Sequence, residues 1–205
     1  MLRKVYDEYL SALGNSLKGI DPSRLQLSNP LLIDVPDSYL SSPVKLMIVG
    51  QQTFGWWGCF GQGLGNDPVA TLLSRYRDFN LGKDYVRSPF WRVAHKLAKG
   101  INATGDCAFV WNNLVKVDQG GKRPDPILED LICGCYPILE SEIKILKPDI
   151  IVFFTGPYYD SRIQATFSEV QFADVDGFEV RKLSRLIHQC LPGAPPRPGC
   201  RGHRK

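Results

Sequence analysis

Residues 45–57, KLMIVGQQTFGWW, decide the fold and point to a site. An apolar run at residues 46–49 stops at Gly50, and glutamines, a threonine and an aromatic cluster follow it. A short apolar run that ends at glycine is typical of a buried strand leading into a loop. In open α/β sheets, ligands bind just beyond the carboxyl ends of such strands. We therefore expect residues 50–57 to line a site, the alternative being an ordinary turn packed with aromatic side chains.

The length and composition fit a globular domain that buries a sizeable core. The chain has 205 residues, of which 43% are hydrophobic and 22% charged, and a net charge of +4. No apolar run approaches the roughly 20 residues that span a bilayer, and the N-terminus does not resemble a signal peptide, so we expect a cytoplasmic protein. The six cysteines include no CxxC pair. We therefore expect reduced thiols, no metal and no other cofactor.

Apolar runs alternate with amphipathic helical patterns along the chain. This alternation predicts a parallel sheet covered by helices on both faces. Residues 170–175 and 178–183 flank Asp176-Gly177, which predicts a hairpin. The C-terminus is rich in Pro, Gly and Arg, so we expect one domain over residues 1–190 and a poorly structured tail over 191–205. The strand runs are 46–49, 107–111 and 150–154, and the helical patterns are 2–17, 69–79, 90–101, 127–146 and 161–167.

The ends of the three predicted strands carry polar and aromatic residues. Residues 50–54 follow the first strand, Asn112 and Asn113 the second, and residues 155–158 the third, while His188 follows the hairpin. Amides can match the edge of a nucleobase, and an aromatic ring can stack on its face. Each residue also has a plainer interpretation. The glutamines can cap the loop backbone, Phe54 can belong to the core, Asn112 can bond locally, and His188 can be solvated.

Two of these stretches resemble motifs of the uracil-DNA glycosylase superfamily. Residues 49–54, VGQQTF, are similar to the I-G-Q-D-P-Y motif of its best-known branch. Residues 109–117, FVWNNLVKV, are similar to the L-L-L-N-x-x-L-T-V motif of that branch. Residues 147–156, KPDIIVFFTG, resemble its third strand, which also ends in glycine. The resemblance implies a three-layer α/β/α sandwich on a central, mostly parallel four-stranded sheet.

The same resemblance implies a pocket for a base flipped out of DNA, whose bond to the sugar is hydrolysed. It implies that Gln51 offers a backbone amide to the base, that Phe54 stacks on it and that Asn112 reads its edge. Thr53 stands where that branch has Pro, and we group it with these substrate-binding residues.

The catalytic candidates are Gln52 and His188. Gln52 takes the position of the Asp that activates water in that branch, and a Gln can orient a water but cannot accept its proton. His188, in the run HQCLP, takes the position of the His that stabilises the departing base.

Three functions stay open on the sequence. The first is a DNA glycosylase, a monomer acting on uracil or another damaged base. The second is a non-catalytic relative that binds a nucleobase or nucleic acid. The third is a partner-binding protein with an inactive pocket, which we expect if Gln51, Phe54 and Asn112 do not face one cleft.

Overall fold

A computed structural model describes residues 1–21, 23–102 and 108–176, and the backbone of residues 181–184. The fold is mixed α/β, as predicted. Its main sheet has strands β1, Leu46–Gln52, β2, Phe109–Val115, and β3, Ile150–Phe153. The strands are parallel and their order is β2-β1-β3. Within the described residues this sheet has three strands, so the predicted fourth parallel strand is not confirmed.

The register of the sheet brings the predicted strand ends to one edge. Val49 pairs with Asn112 on β2 and with Phe153 on β3, and Gly50 pairs with Asn113. The first two strands are longer than their apolar runs predict. Gly50–Gln52 and the two asparagines are therefore strand residues rather than loop residues. The cause is that backbone pairing continues past the last apolar side chain.

Seven α-helices occur in the described part of the chain. Asp67 and Asp125 cap α3 and α5, because each carboxylate accepts a hydrogen bond from a backbone N–H three residues later, at 3.0 Å. A proline follows each cap at the first position of the helix, where its missing N–H costs no hydrogen bond. The helices are α1, Leu2–Ser16, α2, Asp37–Leu40, α3, Pro68–Phe79, α4, Pro89–Asn102, α5, Pro126–Gly134, α6, Ile138–Leu146, and α7, Asp160–Thr166.

The helical pattern over residues 127–146 is divided into two helices. The helix α5 ends at Gly134 and α6 begins at Ile138, with Pro137 immediately before it. A proline has no backbone N–H and clashes with the preceding turn, so it cannot continue α5. Residues at the junction between α5 and α6 line a cavity.

The β2 strand is buried along its whole length. Neighbouring residues of a strand face opposite ways. On one face Trp111 stacks on Tyr76 of α3 and meets Trp91 of α4 edge to face, with ring centroids 6.1 and 5.0 Å apart. Its neighbour Asn112 bonds to Glu142 of α6. A core of side chains from α1, α3, α5 and α6 includes Tyr6, Tyr9, Leu13, Val69, Leu72, Leu128, Ile132 and Ile138.

The chain separates into two compact units, residues 1–166 and 167–205. In the second unit, β4, Gln171–Asp174, pairs antiparallel with β5, Arg181–Ser184, which confirms the predicted antiparallel pair. Asp174 pairs with Arg181, however, so the register is not the one that a two-residue turn at Asp176-Gly177 predicts. Gly177 of the predicted turn, His188 and the predicted tail over 191–205 lie outside the described residues. No helix in the described part of the chain is long and apolar enough to cross a membrane.

Candidate functional site

Buried polar side chains fix the loop that follows β1. The amide of Asn29 donates to the carbonyl oxygens of Trp57, at 2.7 Å, and Gln62, at 3.1 Å, while its oxygen accepts the N–H of Gly61 at 2.9 Å. Thr53, which is buried, lies with its hydroxyl 3.1 Å from that of Ser28. Three backbone groups of this loop are therefore satisfied by the buried Asn29 side chain, which restrains the shape of the loop.

Asp118 joins the same loop to the turn after β2. One carboxylate oxygen accepts the N–H of Gly121 at 2.7 Å, and the other accepts the N–H of Trp56 at 3.3 Å. Asp118 is 1% exposed, and both its oxygens are engaged by backbone donors. This carboxylate therefore has a structural role.

Phe54 projects from the loop into solvent, with 87% of its surface exposed. One edge of its ring lies against Gly121, where an added Cβ would come within 3.4 Å of the ring. Gly121 also has a φ of +75°, a conformation that favours glycine. The ring thus has Gly121 beside one edge while most of its surface remains open.

The two glutamines of β1 bond to residues that follow β3. The Gln51 side chain donates to the carbonyl oxygen of Thr155 at 2.9 Å. The side-chain oxygen of Gln52, Oε1, accepts a short hydrogen bond from the hydroxyl of Tyr159. Burial raises the pKa of Tyr159 to about 12, so this phenol stays a neutral donor at physiological pH. In this arrangement the side-chain oxygen of Gln52 already has a protein donor.

Arg123 lies over the ring of Tyr159, with its guanidinium carbon 4.0 Å from the ring centroid. It donates to the carbonyl oxygen of Tyr158 at 2.8 Å and to both oxygens of Glu129, at 2.5 and 2.8 Å. Arg162 donates to Glu129 as well, at 2.7 Å. Burial opposes the ionisation of Glu129, but the hydrogen bonds from both arginines outweigh it and hold the pKa of this carboxyl below its ordinary value.

Aromatic and basic side chains therefore surround the edge where β1 and β3 end. Tyr158 is 84% exposed, and the side chain of Arg123 is about one-third exposed. Lys122, next to Arg123, is also exposed. Exposed aromatic faces beside cationic side chains are the elements with which proteins hold unpaired nucleic acid.

Asn112 is fully buried in an ionic network at a different place. Its amide nitrogen donates to Glu142 at 2.8 Å, and its oxygen accepts the N–H of Asn113 at 2.8 Å and a short bond from Lys116. The Lys116 ammonium lies 2.6 and 2.9 Å from the two oxygens of Glu142, to which Tyr6 also donates at 3.1 Å. Burial lowers the pKa of Lys116, and the charge of Glu142 opposes this.

Four of the predicted site residues, Gln51 to Phe54, are consecutive and lie at or just after the end of β1. Asn112 pairs with Val49, so it shares the face of Val49 and Gln51, whereas Gln52 faces the opposite way. The buried Asn112 side chain bonds to Glu142 and Lys116 rather than to any of these four residues. The sixth, His188, lies outside the described residues.

Asn113 lies on the face of the sheet that Gly50 shares. A Cβ added at Gly50 would come within 2.5 Å of the Asn113 side-chain oxygen and 3.2 Å of the Phe90 ring. The same oxygen accepts the indole N–H of Trp111 at 3.1 Å. Gly50 therefore lets the asparagine pack directly on the backbone of β1.

Sequence reasoning missed Arg123, Tyr159 and the Lys116–Glu142 pair. Arg123 follows the Gly120-Gly121 turn, and Tyr159 lies a few residues after the third strand. A search for polar and aromatic residues after each strand could therefore have found both. Lys116 and Glu142 are 26 positions apart, and no local signal predicts that they meet.

Comparisons with protein-family models, with curated proteins and with solved structures find no match for this chain. Within the part of the chain that the structure describes, no group of three or more His, Cys, Asp or Glu residues is placed to hold a metal ion.

Proposed function

We propose that this protein binds an unpaired nucleobase of a nucleic acid at the edge where β1 and β3 end, with Phe54 as the stacking face. The observation that carries the proposal is the 87% exposed ring of Phe54 on a loop that Asn29 and Asp118 hold in place. Because these contacts order the loop, only the Phe54 side chain itself has to become ordered when a base stacks on it. Stacking on an aromatic side chain is worth about 1–3 kcal/mol per base.

The charges around Phe54 support a polyanionic partner. Lys122 and Arg123 follow Gly121, which lies beside one edge of the Phe54 ring. The guanidinium of Arg123 is fixed by Glu129 and Tyr159 while part of its side chain remains exposed. A positioned arginine can meet a phosphate while the neighbouring base stacks. DNA, the partner expected from the sequence, has both groups.

Hydrolysis of the base–sugar bond is a second candidate, supported by the runs that resemble glycosylase motifs. Gln52, at the position that would orient the water, lies beside the exposed Phe54, but its oxygen is engaged by Tyr159. The buried carboxylates Asp118 and Glu129 are occupied by backbone and guanidinium donors. Binding without turnover therefore fits this geometry better than catalysis.

The finer expectations from the sequence stay predictions. They are a three-layer sandwich on four parallel strands, a monomeric state and a cytoplasmic location. Helical residues that meet Trp111 and Asn112 on opposite sides of β2 support the layered arrangement.

Fluorescence anisotropy with labelled single-stranded and duplex DNA of the same sequence tests the proposal. We expect the single strand to bind more tightly, with an affinity that falls as salt rises. Phe54→Ala should weaken single-strand binding about 5- to 100-fold, from the loss of about 1–3 kcal/mol of stacking. Leu40→Ala, which removes another exposed apolar side chain 59% accessible on α2, is the matched control and should bind like the wild type.

Base release from oligonucleotides that carry uracil or other damaged bases separates the two candidates. Binding without release supports the non-catalytic function, whereas release that Gln52→Ala abolishes establishes the glycosylase. If neither oligonucleotide binds, or if Phe54→Ala and Leu40→Ala bind equally well, the nucleobase proposal is wrong. A partner-binding role would then be the better hypothesis.

A further inference from the structure

The helix α4 and the short segment before it carry charge of almost one sign. Residues 83–99 contain five cations and one acid, so this stretch has a charge of +4. The whole chain has the same net charge, which means that all the other residues together sum to zero. Each of the five cations is exposed and forms no ion pair or side-chain hydrogen bond within the described residues. They are Lys83, Arg87, Arg92, Lys96 and Lys99.

Three of these cations form a stripe along the solvent-facing side of α4. Arg92, Lys96 and Lys99 are spaced four and three residues apart, so they share one face of the helix. The buried side chains Trp91 and Ala98 lie on the other side. Like charges at these spacings destabilise a helix, and the sequence of α4 contains no acidic residue to offset their repulsion. An anionic partner would relieve this repulsion.

The stripe begins beside the edge of the sheet where the base site lies. A Cβ added at Gly50 of β1 would come within 3.2 Å of the ring of Phe90, in the first turn of α4. The Phe90 ring centroid is also 5.6 Å from that of Phe154, which follows β3. At the other end of the helix, Asn102 bonds to the backbone of Val44, just before β1, at 3.1 Å. The helix therefore runs antiparallel to β1, from the carboxyl edge of the sheet to its amino edge.

The length of the stripe matches a row of phosphates. Arg92 and Lys99 are seven residues apart, which is about 10 Å along the helix axis. One strand of nucleic acid advances about 3.4 Å per nucleotide when its bases are stacked. The three cations of the stripe therefore cover about three successive phosphates.

A membrane surface, the other large anion, fits this helix less well. A helix that lies on a bilayer buries an apolar face among the lipids. In α4 the apolar side chains Trp91, Ala94 and Ala98 are buried within the protein, and Trp91 packs on Trp111 of β2. The apolar face of the helix is thus already covered, and the exposed face offers mainly charge.

We propose that residues 83–99 bind the sugar–phosphate backbone of a nucleic acid whose unpaired base lies at Phe54. The class of partner rests on the function proposed above, whereas the path of the backbone rests on the charges and direction of α4. Arg92, Lys96 and Lys99 would each lie against one phosphate, and the cations before α4 would meet the strand near the carboxyl edge. Contacts of this kind position a nucleic acid without reading its sequence.

Two triple variants of the full chain that lose the same positive charge test the proposal. The stripe variant replaces the three cations of α4 by glutamine, which has a similar helix propensity, so it should unfold no more easily than the wild type. The control variant replaces three exposed lysines elsewhere by glutamine. Anisotropy of one labelled single-stranded oligonucleotide, between about 50 and 200 mM salt, gives each affinity and its salt dependence. The control positions are Lys4 on α1, Lys18 after α1 and Lys144 on α6.

The expected effect follows from the release of counterions. Each phosphate contact on a single strand contributes about 0.7 to the slope of log affinity against log salt. The stripe variant should therefore lose about 2 from the slope and bind roughly a hundredfold more weakly at about 0.1 M salt. The control variant should keep the wild-type slope. Phe54→Ala should keep it as well, because this change removes no phosphate contact.

The slopes also separate this proposal from the base site. Equal slopes for the stripe and control variants would overturn the role of α4, whatever the result with Phe54→Ala. A reduced slope in the stripe variant supports that role even if Phe54→Ala binds like the wild type, which refutes the base site alone. The absence of any binding at about 50 mM salt would overturn the proposal. So would wild-type binding to phosphatidylserine vesicles that is tighter than binding to the oligonucleotide and is lost in the stripe variant.

Discussion

The variant Asn112→Ala distinguishes two roles of Asn112, a structural role in the core and the recognition of a base. The side chain bonds to two buried charged groups, Glu142 and Lys116, and to the backbone N–H of Asn113. Hydrogen bonds to charged groups contribute about 1.5–3 kcal/mol each, and a neutral one contributes about 1 kcal/mol. Partial repacking and solvation of the network recover some of this sum. We expect Asn112→Ala to lower the free energy of unfolding by about 3–5 kcal/mol.

Urea denaturation followed by circular dichroism measures this loss. For a slope of about 2 kcal/mol per molar urea, the midpoint should fall by about 2 M. The folded fraction of Asn112→Ala should keep its affinity for single-stranded DNA within about threefold, less than 1 kcal/mol. A stability within about 1 kcal/mol of the wild type, together with lost DNA binding, would refute the structural role and restore Asn112 as a base reader.

Three further perturbations test the surrounding network and the caps. Lys116→Met leaves the Glu142 carboxylate buried without its counter-ion, so unfolding at pH 7 should be easier by about 3–5 kcal/mol. Tyr159→Phe should remove a phenol of pKa about 12 from the ultraviolet titration. Its stability deficit relative to the wild type should shrink from about pH 10 to about pH 12, where the unfolded phenol ionises before the folded one. Asp67→Ala should cost about 1 kcal/mol in urea denaturation, through loss of the α3 cap.

The alternation of apolar runs and amphipathic helices predicted a parallel sheet and the positions of its three described strands, whereas the fourth strand that the resemblance implied is not confirmed. Local chemistry contributes to that success, since Asp-Pro pairs mark the starts of two helices. The pattern underestimated the lengths of two strands, because backbone pairing continues past their last apolar side chains. It could not show that β1 continues to Gln52 or that β2 continues to Val115, because polar residues can extend a strand when their partners satisfy them.

The candidate site was only partly predictable for a related reason. Residues 51–54 are consecutive, so they lie near one another in any fold. Predicting their position required only that the end of β1 be recognised. The placement of Asn112 depends on which face of β2 it occupies and on Glu142, a residue 30 positions away. A one-residue change in strand phase reverses the face of every side chain, and the sequence does not determine that phase. The Arg123–Glu129–Arg162 network likewise depends on long-range packing.

Binding of one single-stranded oligonucleotide, with and without a single base, tests the central claim most directly. Anisotropy gives the affinity of the wild type and of Phe54→Ala for the intact strand and for a strand with one abasic position. If Phe54 stacks on a base, removal of that base from a strand just long enough to fill the site should weaken the wild type by about 1–3 kcal/mol and leave Phe54→Ala almost unchanged. Equal losses in both proteins would show that Phe54 does not contact the base and would contradict the account.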